Sequence, residues 1–137
     1  MNSTRNTAPR LALLAGFVAV NALAGSVLMT TGSLDFGDPV SGRLPFHSTV
    51  FAAVALAAVV GLPMAVTAAL AATGHPRTAE AAMVAGALLV GWIGVQGVVI
   101  RTFSLLQPVM AVAGAAVFIA GVTVRSRAAS SAPRPRR

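Results

Sequence analysis

Side chains capable of acid–base chemistry or metal binding are few in this chain of 137 residues. His47 and His75 are its two histidines, and cysteine is absent, so thiolate metal sites and disulfides are excluded. The histidines flank one apolar run at opposite ends, about a membrane thickness apart, and cannot share a metal ion. His75 stands in a Gly-His-Pro turn and is predicted to be a solvated turn residue. The sequence therefore predicts neither a metal site nor a cofactor.

Other polar residues are predicted to lie on the same side of the membrane as His47. A nearby carboxylate can orient an interfacial imidazole ring, although anchoring at the membrane interface is the simpler role for His47. One interpretation of the group is a set of exposed loop charges, whose ion pairs contribute about 0–1 kcal/mol. The other is a polar mouth over a helical bundle, recognising a ligand head group or a partner. This outer cluster consists of Asp35, Asp38, Arg43, His47, Arg101 and Gln107.

Asn21, Trp92 and Gln96 stand inside apolar runs and form a candidate polar or packing face within the membrane. Side-chain amides in lipid usually hydrogen-bond a neighbouring helix, with a contribution of about 0.6–2 kcal/mol. Trp92 and Gln96 are four residues apart, so they share one helix face. Their run is also rich in small residues, at positions Gly86, Gly91, Gly94 and Gly97. Close helix packing is the favoured role, and a pocket for an apolar ligand is the alternative.

Four apolar runs must position these residues, and each can cross about 30 Å of hydrocarbon as roughly 20 helical residues. The chain is 56% hydrophobic and 9% charged, whereas soluble domains are about 25% charged. Backbone groups in lipid must bond within their own segment, which favours helices, and the runs lack the alternation of a β-barrel. The predicted fold is an all-α integral membrane four-helix bundle. Its spans are predicted at about 11–30, 49–72, 79–100 and 105–124.

The segments outside the spans are short and polar. Residues 1–10 and 125–137 flank the predicted transmembrane domain at 11–124, and the arginine-rich tail at 125–137 is predicted to be disordered.

Pro63 lies in the middle of the second run, just after Gly61, and predicts a kink there.

Arginine placement predicts the orientation of the bundle. Cytoplasmic loops carry an excess of arginine and lysine, and an inside N-terminus places eight arginines inside against Arg43 and Arg101 outside. The inside group is Arg5, Arg10, Arg77, Arg125, Arg127, Arg134, Arg136 and Arg137. Both termini are therefore predicted to be cytoplasmic, in a multi-pass protein of the inner (plasma) membrane.

The net charge of +7 has a membrane explanation. Nucleic-acid readers place basic residues along a folded face with stacking aromatics, whereas these arginines flank apolar spans. We expect the tail to lie on the anionic inner leaflet, where each arginine contributes about 1 kcal/mol. Membrane lipids are thus predicted partners, nucleic acid is not, and a homo-oligomer or another membrane protein stays open.

The N-terminal run has a second interpretation. Two arginines, an apolar stretch and Ala22-Leu23-Ala24 are also typical of a signal peptide with its cleavage site. The apolar character continues through Val27-Leu28-Met29, which favours an uncleaved helix. Cleavage would leave three helices in the same orientation.

Several short motifs stand along the chain: Asp38-Pro39, Leu44-Pro45-Phe46, Gly61-Leu62-Pro63, Gly91-Trp92-Ile93-Gly94-Val95-Gln96 and Phe103-Ser104-Leu105-Leu106-Gln107-Pro108. With these motifs, most of residues 11–124 resembles a family of uncharacterised small four-helix membrane proteins common in actinobacteria, and more loosely the DoxX-like four-helix proteins. The resemblance implies a four-helix membrane fold and brings no catalytic residue with it.

No phosphate-binding loop or serine nucleophile elbow is found in the sequence. Proton-coupled carriers usually depend on a carboxylate deep within a span, and none of the predicted spans has one there. The leading hypothesis is a non-enzymatic membrane protein, an accessory or assembly subunit. The alternative is a carrier or binder of a lipid or quinone-like apolar molecule within the bundle.

Overall fold

The computed structural model describes residues 3–32, 48–99 and 105–131. Within these ranges the chain forms four helices, each long and apolar enough to cross a membrane. They are α1 (Ser3–Thr30), α2 (Thr49–Thr73), α3 (Thr78–Val99) and α4 (Leu106–Ser130). The predicted all-helical class, with four long apolar helices, is confirmed.

The first and last helices, α1 and α4, extend past the predicted spans. Helix α1 begins at Ser3, within the predicted N-terminal segment, and α4 continues through Arg125 and Arg127 to Ser130. The start of the predicted disordered tail is therefore helical, and residues 132–137 lie outside the described part. Hydropathy marks where a helix leaves lipid, whereas alanine and arginine favour helix on either side of that point.

Helix α2 changes its hydrogen-bonding pattern near its middle. Its three consecutive segments are α-helical Thr49–Leu56, π-helical Ala57–Gly61 and α-helical Leu62–Thr73. The backbone N–H of Leu62 donates to the carbonyl of Ala57, five residues earlier, and Pro63 follows at once. Proline has no N–H to donate, so the ladder is interrupted where the sequence predicts a kink.

A four-residue turn joins α2 to α3. Gly74 adopts a left-handed conformation with φ 66°, which ends α2 without steric cost. The N–H of His75 donates to the carbonyl of Leu70 at 2.9 Å, and that of Gly74 to Ala71 at 3.3 Å. These two bonds satisfy carbonyls at the helix end and return the chain as an antiparallel neighbour.

The helices form a ring in chain order. Helix α1 packs mainly on α2 and α4, while α3 packs mainly on α4 and α2, so α1 and α3 lie diagonally opposite. The buried positions of α1 recur every three or four residues, as an apolar stripe requires. They include Leu11, Ala15, Val18 and Ala22.

Helices α3 and α4 approach each other backbone to backbone. A Cβ added to Gly86 would lie 2.6 Å from the carbonyl oxygen of Gly114 and 2.6 Å from the amide nitrogen of Phe118. A Cβ added to Gly121 would lie 2.8 Å from the carbonyl oxygen of Ala79. Small residues thus set the separation of these two helices.

Large apolar side chains cover the outside of the bundle. Leu13, Phe17, Val112 and Ile119 are between 61% and 75% exposed. Soluble monomers rarely expose large contiguous apolar patches, so the exterior suggests a multi-pass membrane protein.

The close contact at Gly86 predicts a large effect from one methyl group. We expect Gly86→Ala to lower the free energy of unfolding by about 1–3 kcal/mol, because backbone atoms must move apart. Gly91→Ala is the matched control: its Cβ meets nothing within 4 Å, so helix propensity alone should stabilise it by up to about 1 kcal/mol. Reversible unfolding in one detergent measures both variants. Equal stability of the two would contradict the described α3–α4 contact.

Candidate functional site

The structure leaves most of the outer cluster outside the described residues. Asp35, Asp38, Arg43, His47 and Arg101 all fall in residues 33–47 or 100–104. Gln107 is described and lies half-buried at the start of α4. The cluster therefore stays a prediction.

Asn21 lies exposed on α1, on the outside of the bundle. Its Nδ2 donates to the carbonyl oxygen of Phe17 in the same helix at 2.8 Å. We expected such an amide to bond a neighbouring helix, but residue 21 falls beside the buried stripe that includes Val18 and Ala22. A bond to its own helix satisfies the amide donor without a partner helix.

Trp92 and Gln96 lie together on α3, both half-buried. The indole of Trp92 packs against the buried core of the bundle. Its Nε1 is buried, and no acceptor for its N–H occurs in the described ranges. Buried indole N–H groups usually have a partner, so this donor marks a position where an acceptor would be favourable.

His75 adopts the predicted turn position. Its imidazole is exposed, and Nδ1 accepts a hydrogen bond from the backbone N–H of Arg77 at 3.2 Å. The hydroxyl of Thr78 donates to the His75 carbonyl at 2.6 Å, which fixes the start of α3. Across residues 3–32, 48–99 and 105–131 there is no group of three or more His, Asp or Glu that could hold a metal ion.

The glycines of α3 serve two different surfaces. Gly86 packs on α4, whereas a Cβ at Gly91, Gly94 or Gly97 would meet nothing within 4 Å. Ala87, Gly91 and Gly94 are all exposed, and we call these three residues the open glycine face. The sequence predicts close helix packing from these glycines, and among the described residues the structure shows it at Gly86 but not at the other three.

Sequence reasoning missed the glycines of α4. Gly114 and Gly121 are buried against α3, at a spacing of seven residues. Ala79 and Gly86 carry the same spacing on the facing helix. A search for small residues at heptad spacing could have found this contact from the sequence.

Charge is concentrated at one end of the described bundle. Because neighbouring helices are antiparallel, the start of α1, the α2–α3 turn and the end of α4 meet there. This arginine end carries the exposed residues Arg10, Arg77, Arg125 and Arg127. Glu80, in the first turn of α3, is the acidic residue that the structure describes at this end. The end is strongly cationic, as an anionic membrane surface would favour.

Comparisons with protein-family models, curated proteins and solved structures found no match for this chain. The resemblance to small actinobacterial four-helix proteins and to DoxX-like proteins therefore stays a prediction. Function has to be inferred from the open glycine face, the Trp92 indole and the arginine end.

Proposed function

We propose that this protein is a non-enzymatic, multi-pass subunit of the inner (plasma) membrane that assists or assembles another membrane protein. The open glycine face of α3 is the observation that carries this proposal. It would receive a transmembrane helix of the partner, while the bundle itself holds α3 in place.

The open glycine face supports a helix partner because glycine is costly without one. Glycine disfavours a helix interior by about 1 kcal/mol relative to alanine. At Gly86 that cost is offset by close packing on α4, but Gly91 and Gly94 meet no side chain of the described bundle. Small residues spaced four apart, such as Ala87 and Gly91, are typical of transmembrane helix contacts.

The chain itself demonstrates what such a face can do. At Gly86 the absence of a side chain lets the backbone of α4 come within contact distance of α3. A partner helix with small residues could approach Gly91 in the same way. Dispersion contacts and interhelical bonds, rather than a hydrophobic driving force, would stabilise that pair within lipid.

A bulky side chain on the face should remove the partner. We expect a stoichiometric partner to co-purify with the unmodified protein in mild detergent and to be lost from Gly91→Leu. Ala116→Leu is the matched control, because Ala116 is also exposed but lies on α4. Quantitative mass spectrometry of the purified complexes measures the ratio.

Two outcomes would contradict the proposal. One is recovery of the protein always alone, or only as a homo-oligomer. The other is equal loss of the partner from Gly91→Leu and Ala116→Leu, which would indicate a general effect of surface bulk.

We also propose that the arginine end faces the cytoplasm. Arg10, Arg77, Arg125 and Arg127 support this orientation under the positive-inside rule, and the tail beyond residue 131 would lie on the anionic inner leaflet. The two termini would then share the cytoplasmic side.

Single cysteines test this orientation cleanly because the chain has none of its own. We expect Gly32→Cys, at the far end of α1, to react with an impermeant maleimide in intact cells. We expect His75→Cys, at the arginine end, to react only after permeabilisation. The reverse pattern would overturn the proposed orientation.

A second candidate function is binding of an apolar molecule that carries a carbonyl group, a quinone-like compound or a lipid. The buried Nε1–H of Trp92 favours it, because an unsatisfied buried donor costs about 1–3 kcal/mol and a ligand carbonyl would remove that cost. Gln96, one turn along α3, and Gln107, at the start of α4, are half-buried polar groups of the same bundle.

Tryptophan fluorescence tests this candidate directly, since Trp92 is the sole tryptophan. We expect a short-chain quinone to quench the emission saturably, and Gln96→Leu to weaken binding about fivefold, as loss of about 1 kcal/mol implies. Asn21→Leu is the control, because Asn21 lies on the outside of α1. Linear quenching that is identical in all three proteins would indicate partition into detergent and contradict a site.

A further inference from the structure

A cleft of about 840 Å³ opens between the start of α1 and the end of α2, at the arginine end. Half of its lining residues are alanines, whose short side chains leave space between the two helices. The lining residues are Ala8, Pro9, Ala12, Leu13, Ala71, Ala72, Thr73 and Gly74. The cleft is open to the outside of the bundle, so an acyl chain could lie along it.

The cleft lies where the apolar stretches of α1 and α2 end. The apolar span of α1 begins at Ala8 and that of α2 ends at Thr73, and both residues line the cleft. An acyl chain can therefore lie along the apolar walls near Leu13 and Ala72. Its head group would then reach the polar end of the bundle.

Two arginines are near neighbours of the lining residues along the chain. Arg10 lies within the stretch of α1 that lines it, and Arg77 follows just after Gly74 in the α2–α3 turn. Both side chains are exposed. An arginine can lay its stem on apolar surface while its guanidinium remains at head-group level. The planar guanidinium is well suited to bind a phosphate through two hydrogen bonds.

We propose that this cleft is a binding site for an anionic phospholipid. The acyl chain of the lipid would lie along the apolar walls of the cleft. Arg10 and Arg77 would bind the phosphate of its head group. Charge complementarity selects the ligand, because this end exposes Arg10, Arg77, Arg125 and Arg127 against one described carboxylate, that of Glu80. The site lies apart from the open glycine face and does not depend on the proposed partner helix.

Native mass spectrometry of the full chain in detergent tests the site with two lipids of matched acyl chains. We expect one phosphatidylglycerol to bind at least tenfold more tightly than phosphatidylcholine. Arg10→Gln and Arg77→Gln should each weaken phosphatidylglycerol binding about fivefold, the factor that corresponds to about 1 kcal/mol per arginine. Arg125→Gln removes the same charge from α4, away from the cleft, and should change binding less than about twofold.

A second pair of variants tests whether the acyl chain binds in the cleft, and neither variant changes the charge. Ala72→Leu fills the cleft and should weaken phosphatidylglycerol binding, whereas Ala69→Leu, exposed on α2 outside the lining, should not. Equal weakening by Arg125→Gln and Arg10→Gln would overturn the proposal in favour of diffuse surface attraction. An Ala72→Leu variant that binds phosphatidylglycerol as tightly as the unmodified protein would also overturn the proposal. Displacement of the lipid by inorganic phosphate would reassign the cleft to a free anion. Circular dichroism confirms that each variant keeps its helical content.

Discussion

Large apolar side chains cover much of the outward faces of all four helices, and the other features of the molecule depend on this surface. Side chains such as Leu13 and Val112 expose more than two thirds of their area. Contact of such a surface with water is unfavourable by about 25 cal/mol for each Å² of apolar area. Lipid removes that cost, and the described charges lie at the arginine end, where each helix leaves its apolar span.

A lipid surrounding would also explain why the interior is built from small residues. Hydrocarbon is as apolar as leucine, so apolar burial gives little preference for helix contact over lipid contact. Cohesion must come from close packing, and the Gly86–Gly114 contact brings two backbones together. For the same reason Gly91 and Gly94 are suited to contact another helix, because they are small and have no neighbour within the described bundle. Function is proposed at that unfilled surface.

The sequence predicts the features that depend on local composition. Span length, the interruption before Pro63 and the turn at His75 all follow from hydropathy, proline chemistry and glycine conformation. Sequence spacing gives the face on which a residue lies, but not which neighbour covers that face. For this reason the division between Gly86 and Gly91 emerges only from the structure, as does the bond of Asn21 within α1. The outer cluster, apart from Gln107, lies outside the described residues and stays a prediction.

Every proposed site on this protein requires the four helices to be embedded in a bilayer. Alkaline carbonate treatment of cell membranes tests it most directly, because it releases peripheral proteins and leaves integral ones in place. Embedded helices should keep the full chain in the membrane pellet after ultracentrifugation, and the chain should enter solution only with detergent. Recovery of the chain in the carbonate supernatant, folded and free of lipid, would contradict it.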